Sequence, residues 1–204
     1  MLGPNLFIVY INDIVRSLEK CKIQLFADDT LVYLIGQDVA EVINTINQEL
    51  ETLYKWLTQN GLSLNTEKTK FMIIKSKFNT ISNTNHNGIF INGQRIEQVD
   101  QYKYLGVKVD EYLTFSKHAE YVTYKIAKKV NLMNRMSSYL SSWAKLTIYK
   151  TIILPHFNYC SSILSLLTLT EKGILQKKQN QAMRCILGCN RYTSVNTMLQ
   201  NTGL

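Results

Sequence analysis

The second half of this 204-residue chain almost lacks acid. Through residue 116 there are 11 Lys and Arg against 13 Asp and Glu, and from residue 117 onward there are 12 against 2. A nearly neutral half followed by a strongly basic one points to a polyanionic partner, held mainly by the second half. Cysteine is also scarce. Cys21, Cys160, Cys185 and Cys189 lack paired metal-ligand spacing, and only Cys185 and Cys189 fall one helical turn apart. Reduced, intracellular thiols are therefore expected, with a structural zinc as the minor alternative. No apolar run is long enough to span a bilayer, because the most apolar tract, residues 146–169, is interrupted by Lys150, Pro155 and His156. The start of the chain lacks the positively charged region of a signal peptide. A soluble intracellular protein is expected, with nucleus and cytoplasm both open. Internal repeats and coiled-coil heptads are missing too. What is present is an ordinary globular balance, 46% hydrophobic and 19% charged, enough for one large core or two small ones and unlike a disordered chain.

Residues 22–35 are the most informative stretch. Two apolar, β-prone runs are broken once, by Asp28 and Asp29, which is the pattern of a hairpin with acid at its tip. Strand alternation puts Gln24, Phe26 and Asp28 on one side and Leu25 and Ala27 on the other, with Asp29 in the turn. Adjacent carboxylates repel, and each is driven toward protonation unless a cation keeps both ionised. A hard divalent ion with oxygen ligands, Mg²⁺ or Mn²⁺, meets that need. Neighbouring acids on a stiff hairpin suit two-metal phosphoryl transfer. For the dipeptide by itself, a plain hydrophilic turn is the commoner explanation.

The remaining pattern predicts an α+β protein. Residues 4–20 read as one helix with Pro4 in its first turn, dense enough in apolar side chains to be buried against a sheet. Asp38 with Glu41 reads as a capping box. It opens a helix whose stripe Val39, Val42, Ile43, Ile46, Leu50, Leu53 and Leu57 lies across the acid-bearing sheet and ends at Asn60-Gly61. A strand is expected over 71–74, a surface loop over 79–87, and a hairpin over 88–97 turning at Asn92-Gly93. Leu105, Val107 and Val109 alternate with Tyr104, Gly106 and Lys108, as in a strand with one buried face where Gly106 admits another backbone. From Ser116 the texture is helical. Ala119, Val122, Ile126, Val130, Met133, Met136 and Leu140 form one stripe. Lys117, Tyr121, Tyr124, Lys128 and Arg135 fall on a different face, whose cations and tyrosines suit a phosphate backbone or an ordinary wet surface. Further helices are expected over 143–154, ended by Pro155, and over 171–187.

Phe26-Ala27-Asp28-Asp29 between two apolar strands resembles the catalytic motif of reverse transcriptases, in the form common among jockey-like non-LTR retrotransposons. Several further stretches match in the family's order: Leu2-Gly3-Pro4 through Asp13; Trp56, Asn60-Gly61-Leu62 and Lys68-Thr69; Tyr102 through Val107; Leu154-Pro155-His156 and Tyr159. The resemblance spans nearly the whole chain. It implies a partial polymerase palm, an antiparallel sheet with packed helices, over residues 1–113, and a basic helical thumb and connector over 114–204. It implies that Asp28 and Asp29 are catalytic and hold Mg²⁺ or Mn²⁺. Lys68 then lies near the triphosphate and its pyrophosphate leaving group. Tyr104, Leu105 and Gly106 grip the primer, and Lys117, Tyr121, Tyr124, Lys128 and Arg135 hold the nucleic-acid backbone. Read from their own surroundings alone, Lys68 is equally a solvated loop lysine and the Tyr104 region an edge strand with a glycine bulge.

The partners implied are an RNA template, a DNA primer and deoxynucleoside triphosphates. The family also uses a third carboxylate, a Gln-Gly loop and fingers, all upstream of the stretches matched here, and Asp13 cannot stand in for the missing acid. The isolated chain is accordingly expected to be a fragment that polymerises poorly or not at all, with self-association through an exposed sheet edge. The alternative is a nucleic-acid-binding remnant without catalysis.

Overall fold

The computed structural model describes residues 2–78 and 87–203. The expected loop over 79–87 lies, apart from Asn87, outside the described residues. Helices and short two-stranded ladders make an α+β chain that divides into two compact units, the first ending at Asp100 and the second starting at Gln101. The division falls ahead of the hairpin built on Gln101–Asp110, which clusters with the helices that follow it.

In the first unit, α1 (Gly3–Ile11) starts with Pro4 in its first turn and tightens into a 3₁₀ segment, Asn12–Ser17. The single helix expected over 4–20 thus changes pitch at Asn12 and stops at Ser17. Its expected burial is also corrected. Ile11, Ile14 and Leu18 reach the core, with Phe7 against it, while Leu2, Leu6, Ile8 and Val9 are 56–74% exposed. A helix that is apolar around most of its circumference buries only the stripe that faces a neighbour, and this unit supplies a neighbour on one side.

The ladder of β1 (Lys22–Phe26) and β2 (Asp29–Tyr33) pairs Ile23 with Val32, and both side chains pack against the same core. Helix α2 (Val39–Gln59) contributes Ile43, Leu50, Leu53 and Leu57. Asp38 caps it by accepting the Ala40 N–H at 3.1 Å, without the reciprocal half of a capping box, and Gly61 follows its C-cap at φ +65°. The expected strand over 71–74 shrinks to β3 (Lys70–Phe71). Its parallel partner β6 (Glu97–Gln98) offers only two residues, and Lys70 and Glu97 join across the ladder at 2.6 Å. Between them, β4 (Phe90–Ile91) and β5 (Gln94–Arg95) turn at Asn92 and Gly93, both at positive φ, as a two-residue hairpin requires.

In the second unit, β7 (Gln101–Tyr104) and β8 (Val107–Asp110) precede α3 (Ser116–Arg135). Ala119, Val122, Ile126, Val130 and Met133 are buried as their spacing predicts, but the helix ends at Arg135, and Met136 beyond it is exposed. Helix α4 (Ser142–Ile148) does not stop at Pro155. It widens into a π turn over Tyr149–Ile153, where the Leu154 N–H reaches the Tyr149 carbonyl at 2.8 Å, and Pro155 begins α5 (Pro155–Asn158). Proline has no N–H to give and collides with the carbonyl four residues back, and the wider turn lets its ring pass. Helices α6 (Ser161–Ser165), α7 (Leu169–Leu187) and α8 (Val195–Thr202) complete the unit. A full capping box of Thr168 and Glu171 starts α7, and Gly188 at φ +65° ends it.

All four cysteines are free, and burial, with the Glu49 charge second, pushes the Cys21 thiol up to about 11. Glu49 on α2 accepts the N–H groups of Glu19, Lys20 and Cys21 at 2.8, 3.1 and 3.3 Å. Burial opposes its ionisation, but these three donors and the Lys20 charge outweigh that and hold its carboxyl below the usual range. A depressed carboxyl stabilises the fold above its unfolded pKa of about 4.3, and the contribution is lost as pH falls through the folded value. Urea midpoints recorded from pH 7 to pH 3 should fall more steeply for wild type than for Glu49→Gln. Parallel curves would show that the carboxylate does not tie the segment leading into β1 to α2.

Candidate catalytic hairpin and nucleic-acid face

The acid pair sits where the β1–β2 ladder reverses. Phe26 pairs with Asp29, so the two-residue turn is Ala27-Asp28, and Asp29 is the first residue of β2. This shifts the expected arrangement by one residue: Asp28 occupies the turn rather than a strand face, and Asp29 leaves the turn. Cross-strand partners share a face, so Asp29 stands beside Phe26, which is 62% exposed, on the side away from the core-facing Ile23 and Val32. Both carboxylates are exposed. Ala27 has φ +51°, a conformation that costs an L-residue with a Cβ about 1–2 kcal/mol.

Oxygen-only donors of this kind suit a hard divalent ion. Among the described residues, however, no three His, Cys, Asp or Glu side chains group together to hold a metal. Asp28 and Asp29 therefore complete no metal site by themselves among the described residues. Lys68 lies exposed in the turn before β3, its N–H bonded to the Asn65 side chain at 3.1 Å.

In the second unit, Tyr104, Leu105 and Gly106 are not part of one continuous strand. They form the bend of a hairpin, with Tyr104 paired to Val107 and with Leu105 and Gly106 at φ +45° and +84°. Tyr159 braces this bend. Its hydroxyl donates to the Leu105 carbonyl, and its ring lies where a Cβ on Gly106 would meet it at 3.4 Å. A second brace joins β8 to α3. The Asp110 carboxylate accepts the N–H groups of Tyr112, Thr114 and Phe115 at 3.1, 3.1 and 2.8 Å, together with the Thr114 hydroxyl at 3.1 Å. Burial works against the ionised carboxylate, but these donors outweigh it, and its pKa is depressed. Leu113 and Phe115, at φ +52° and +58°, are held left-handed within this connection. Buried His118 takes the Lys108 N–H on Nδ1 at 3.3 Å, and desolvation, then the Lys108 charge, favour its neutral form.

These braces bring together side chains that lie apart in sequence. Lys103 and Lys108 are cross-strand partners, and their ammonium groups lie 5.7 and 5.1 Å from the centre of the Tyr121 ring on α3. Lys125, one turn along α3, lies 4.4 Å from the same centre. Lys128 stands 4.5 Å over the Tyr124 ring. Lys128 and Arg135 also line one open hollow of about 700 Å³ with Asn131, Leu132 and Asn134. Lys117 is drawn into an ion pair with Glu120 at 3.2 Å and carries less free charge than its position on the face implied. Lys103, Lys125, Asp110 and His118 escaped the sequence reading, and a hairpin register turning at Leu105-Gly106 would have pointed to the first.

The first unit thus presents acids at a β-hairpin tip, and the second a cationic, tyrosine-bearing face. Residues 1–109 match the family described as reverse transcriptase (RNA-dependent DNA polymerase), and the chain belongs to that family. It is 31% identical over 166 residues to a Pol polyprotein from a type-1 retrotransposable element R1 of Nasonia vitripennis, covering 78% of this chain and 40% of the relative. It is 25% identical over 202 residues to the RNA-directed DNA polymerase from mobile element jockey of Drosophila melanogaster, covering 94% of this chain and 22% of the relative. It is 29% identical over 206 residues to a probable RNA-directed DNA polymerase from transposon X-element of the same fly, covering 97% and 22%. The chain thus spans less than half the length of these curated relatives. No solved structure matches it. Among the described residues, no helix is long and apolar enough to cross a membrane.

The brace on the hairpin bend is testable. Gly106→Ala should lower stability by about 1–2 kcal/mol, the cost of forcing a Cβ into the left-handed region, and Tyr159→Phe by about 1 kcal/mol for the lost hydrogen bond. Urea unfolding measures both, and unchanged midpoints in the two variants would remove the brace.

Proposed function

We propose that this chain is part of an RNA-directed DNA polymerase of a mobile element, in which residues 1–113 carry a portion of the palm and residues 114–204 act as the thumb and connector. The observation that carries this reading is the exposed Asp28-Asp29 pair at a tight hairpin whose Ala27 is held left-handed, in a chain of the reverse transcriptase family. Strain stored in a backbone that its surroundings over-determine is a common property of active sites.

In this reading Asp28 and Asp29 are two of the ligands to Mg²⁺ or Mn²⁺, joined by a further carboxylate from outside the described residues. A divalent ion held there by Asp28 and Asp29 would supply stabilisation of the negative charge that develops in nucleotide addition. Lys68 serves the triphosphate and the departing pyrophosphate. The bend at Tyr104, Leu105 and Gly106 sets the primer end, held by Tyr159. Lys117, Tyr121, Tyr124, Lys128 and Arg135, with Lys103, Lys108 and Lys125, face the backbone of the template and primer. Self-association through exposed apolar surface belongs to the same reading, since Leu6, Val9 and Phe26 are left uncovered in the first unit.

A second reading, nucleic-acid binding without catalysis, is favoured by one specific observation: the cationic face is assembled entirely within the second unit, whereas the acid pair lacks a third ligand among the described residues. Primer extension on an RNA template with Mg²⁺ separates the two. If the chain is catalytic, Asp28→Ala should cut incorporation by roughly a thousandfold or more while leaving hybrid binding intact. Equal incorporation by wild type and variant would overturn the metal-binding role. Salt-sensitive binding with no incorporation by either would leave the binding function alone.

A further inference from the structure

The Tyr121 surroundings carry an inference beyond a general basic face. Three ammonium groups from three elements, β7, β8 and α3, converge on a single ring, at 5.7, 5.1 and 4.4 Å from its centre. The charges of Lys125 and Lys103 act on the Tyr121 hydroxyl. None of the ion pairs found among the described residues engages Lys103, Lys108 or Lys125. The nearest acid along α3, Glu120, is taken by Lys117. Asp110 at the base of the hairpin spends its oxygens on the turn into α3. The neutral form of His118, beneath the cluster with its ring centre 6.4 Å from that of Tyr121, adds no negative charge.

Like charges gathered without a counter-charge repel, and flexible lysine stems on an exposed surface would ordinarily spread apart. Here they are collected by geometry that is fixed elsewhere. The cross-strand register places Lys103 beside Lys108, the His118 bond holds Lys108 against α3, and one helical turn separates Tyr121 from Lys125. Three ammonium groups gathered around one ring suit a single tetrahedral oxyanion, whose oxygens accept from several ammonium groups at once.

We propose that Lys103, Lys108 and Lys125, gathered around Tyr121, form a seat for one phosphate group of a nucleic-acid backbone. The inference rests on the reading of this chain as one that holds a nucleic-acid duplex. It deepens that reading by naming where a particular phosphodiester is fixed and by which side chains. Tyr121 reports on the seat. The nearby Lys125 ammonium outweighs burial in depressing its hydroxyl pKa, with the charge of Lys103 adding to the effect. A phosphate that takes up those ammonium groups removes the cause of the depression.

The test uses the full chain. With ¹³Cζ-labelled tyrosine, the Tyr121 resonance is assigned by its loss in Tyr121→Phe, and its titration is followed alone, with an RNA·DNA hybrid, and with inorganic pyrophosphate. The hybrid should raise the Tyr121 midpoint toward that of an ordinary tyrosine. In parallel, anisotropy of a labelled hybrid against KCl gives the salt slope for wild type and for the triple variant K103Q/K108Q/K125Q. Each phosphate neutralised contributes about 0.9 to that slope, so a single-phosphate seat predicts a drop of about 0.9. A drop near 2.7 would mean three separate phosphates and would overturn the proposal, as would a bound hybrid that leaves the Tyr121 titration and the slope unchanged. If wild type binds no hybrid at low salt, the duplex-holding reading itself falls, and the proposed nucleic-acid source falls with it. In that case a midpoint raised by pyrophosphate would leave an oxyanion seat for free phosphates, and an unmoved one would remove the seat as well. The Tyr121 measurement needs no lysine variant, so misfolding of the triple variant cannot mask the result.

Discussion

The Asp110 carboxylate turns the chain from β8 into α3 by accepting three backbone N–H groups and one hydroxyl, and the chemistry of the second unit follows from that turn. Leu113 and Phe115 adopt positive φ only because so many bonds close around one side chain. Once the turn is set, the hairpin lies against the start of α3, His118 receives the Lys108 amide, and two strand lysines meet a helix tyrosine and its neighbouring lysine. Without the turn, the same four residues would be unrelated surface side chains.

The two units solve different problems. The first uses α2 as a spine against which the 3₁₀ segment, the β1–β2 ladder and the Asn92-Gly93 hairpin each bury one apolar side. It leaves the acids at a tip and much of α1 uncovered. The second unit builds its core on α3 and α7, with Tyr149 and Ile153 of the π turn buried between helices. Under the proposed function the acids of the first unit would serve a metal, and the cations of the second would supply countercharge to a nucleic acid.

Several elements were legible from residue order because their causes are local. Asp38 before a stripe of Val39, Ile43, Leu50 and Leu57, and Gly61 after it, define α2 through hydrogen bonds and spacing that span a few residues. Asn92-Gly93 defines a hairpin because both residues tolerate positive φ. The buried stripe of α3 was readable for the same reason. The bend at Leu105-Gly106 was missed because alternating Leu105, Val107 and Val109 imitates a strand, and nothing nearby reveals that Tyr159, far along the chain, fastens the turn. Pro155 was read as a stop because a normal α-helix cannot carry it, but a π turn can. At the acid pair the motif was legible but the register was not, since a positive φ at Ala27 is unusual for a residue other than glycine.

Residue order by itself determined where α2 starts and ends, which hairpin turns at Asn92-Gly93, which side of α2 and α3 faces inward, and that charge gathers in the second half. These depend on periodicity and on hydrogen bonds closed within a turn or two. Tertiary structure alone decided that α1 leaves most of its apolar surface outside, that Asp28 takes the turn while Asp29 opens β2, and that Lys103, Lys108 and Lys125 converge on Tyr121. Those outcomes depend on strand register and on the angle at which one element leaves another, which are set by contacts between residues distant in the chain.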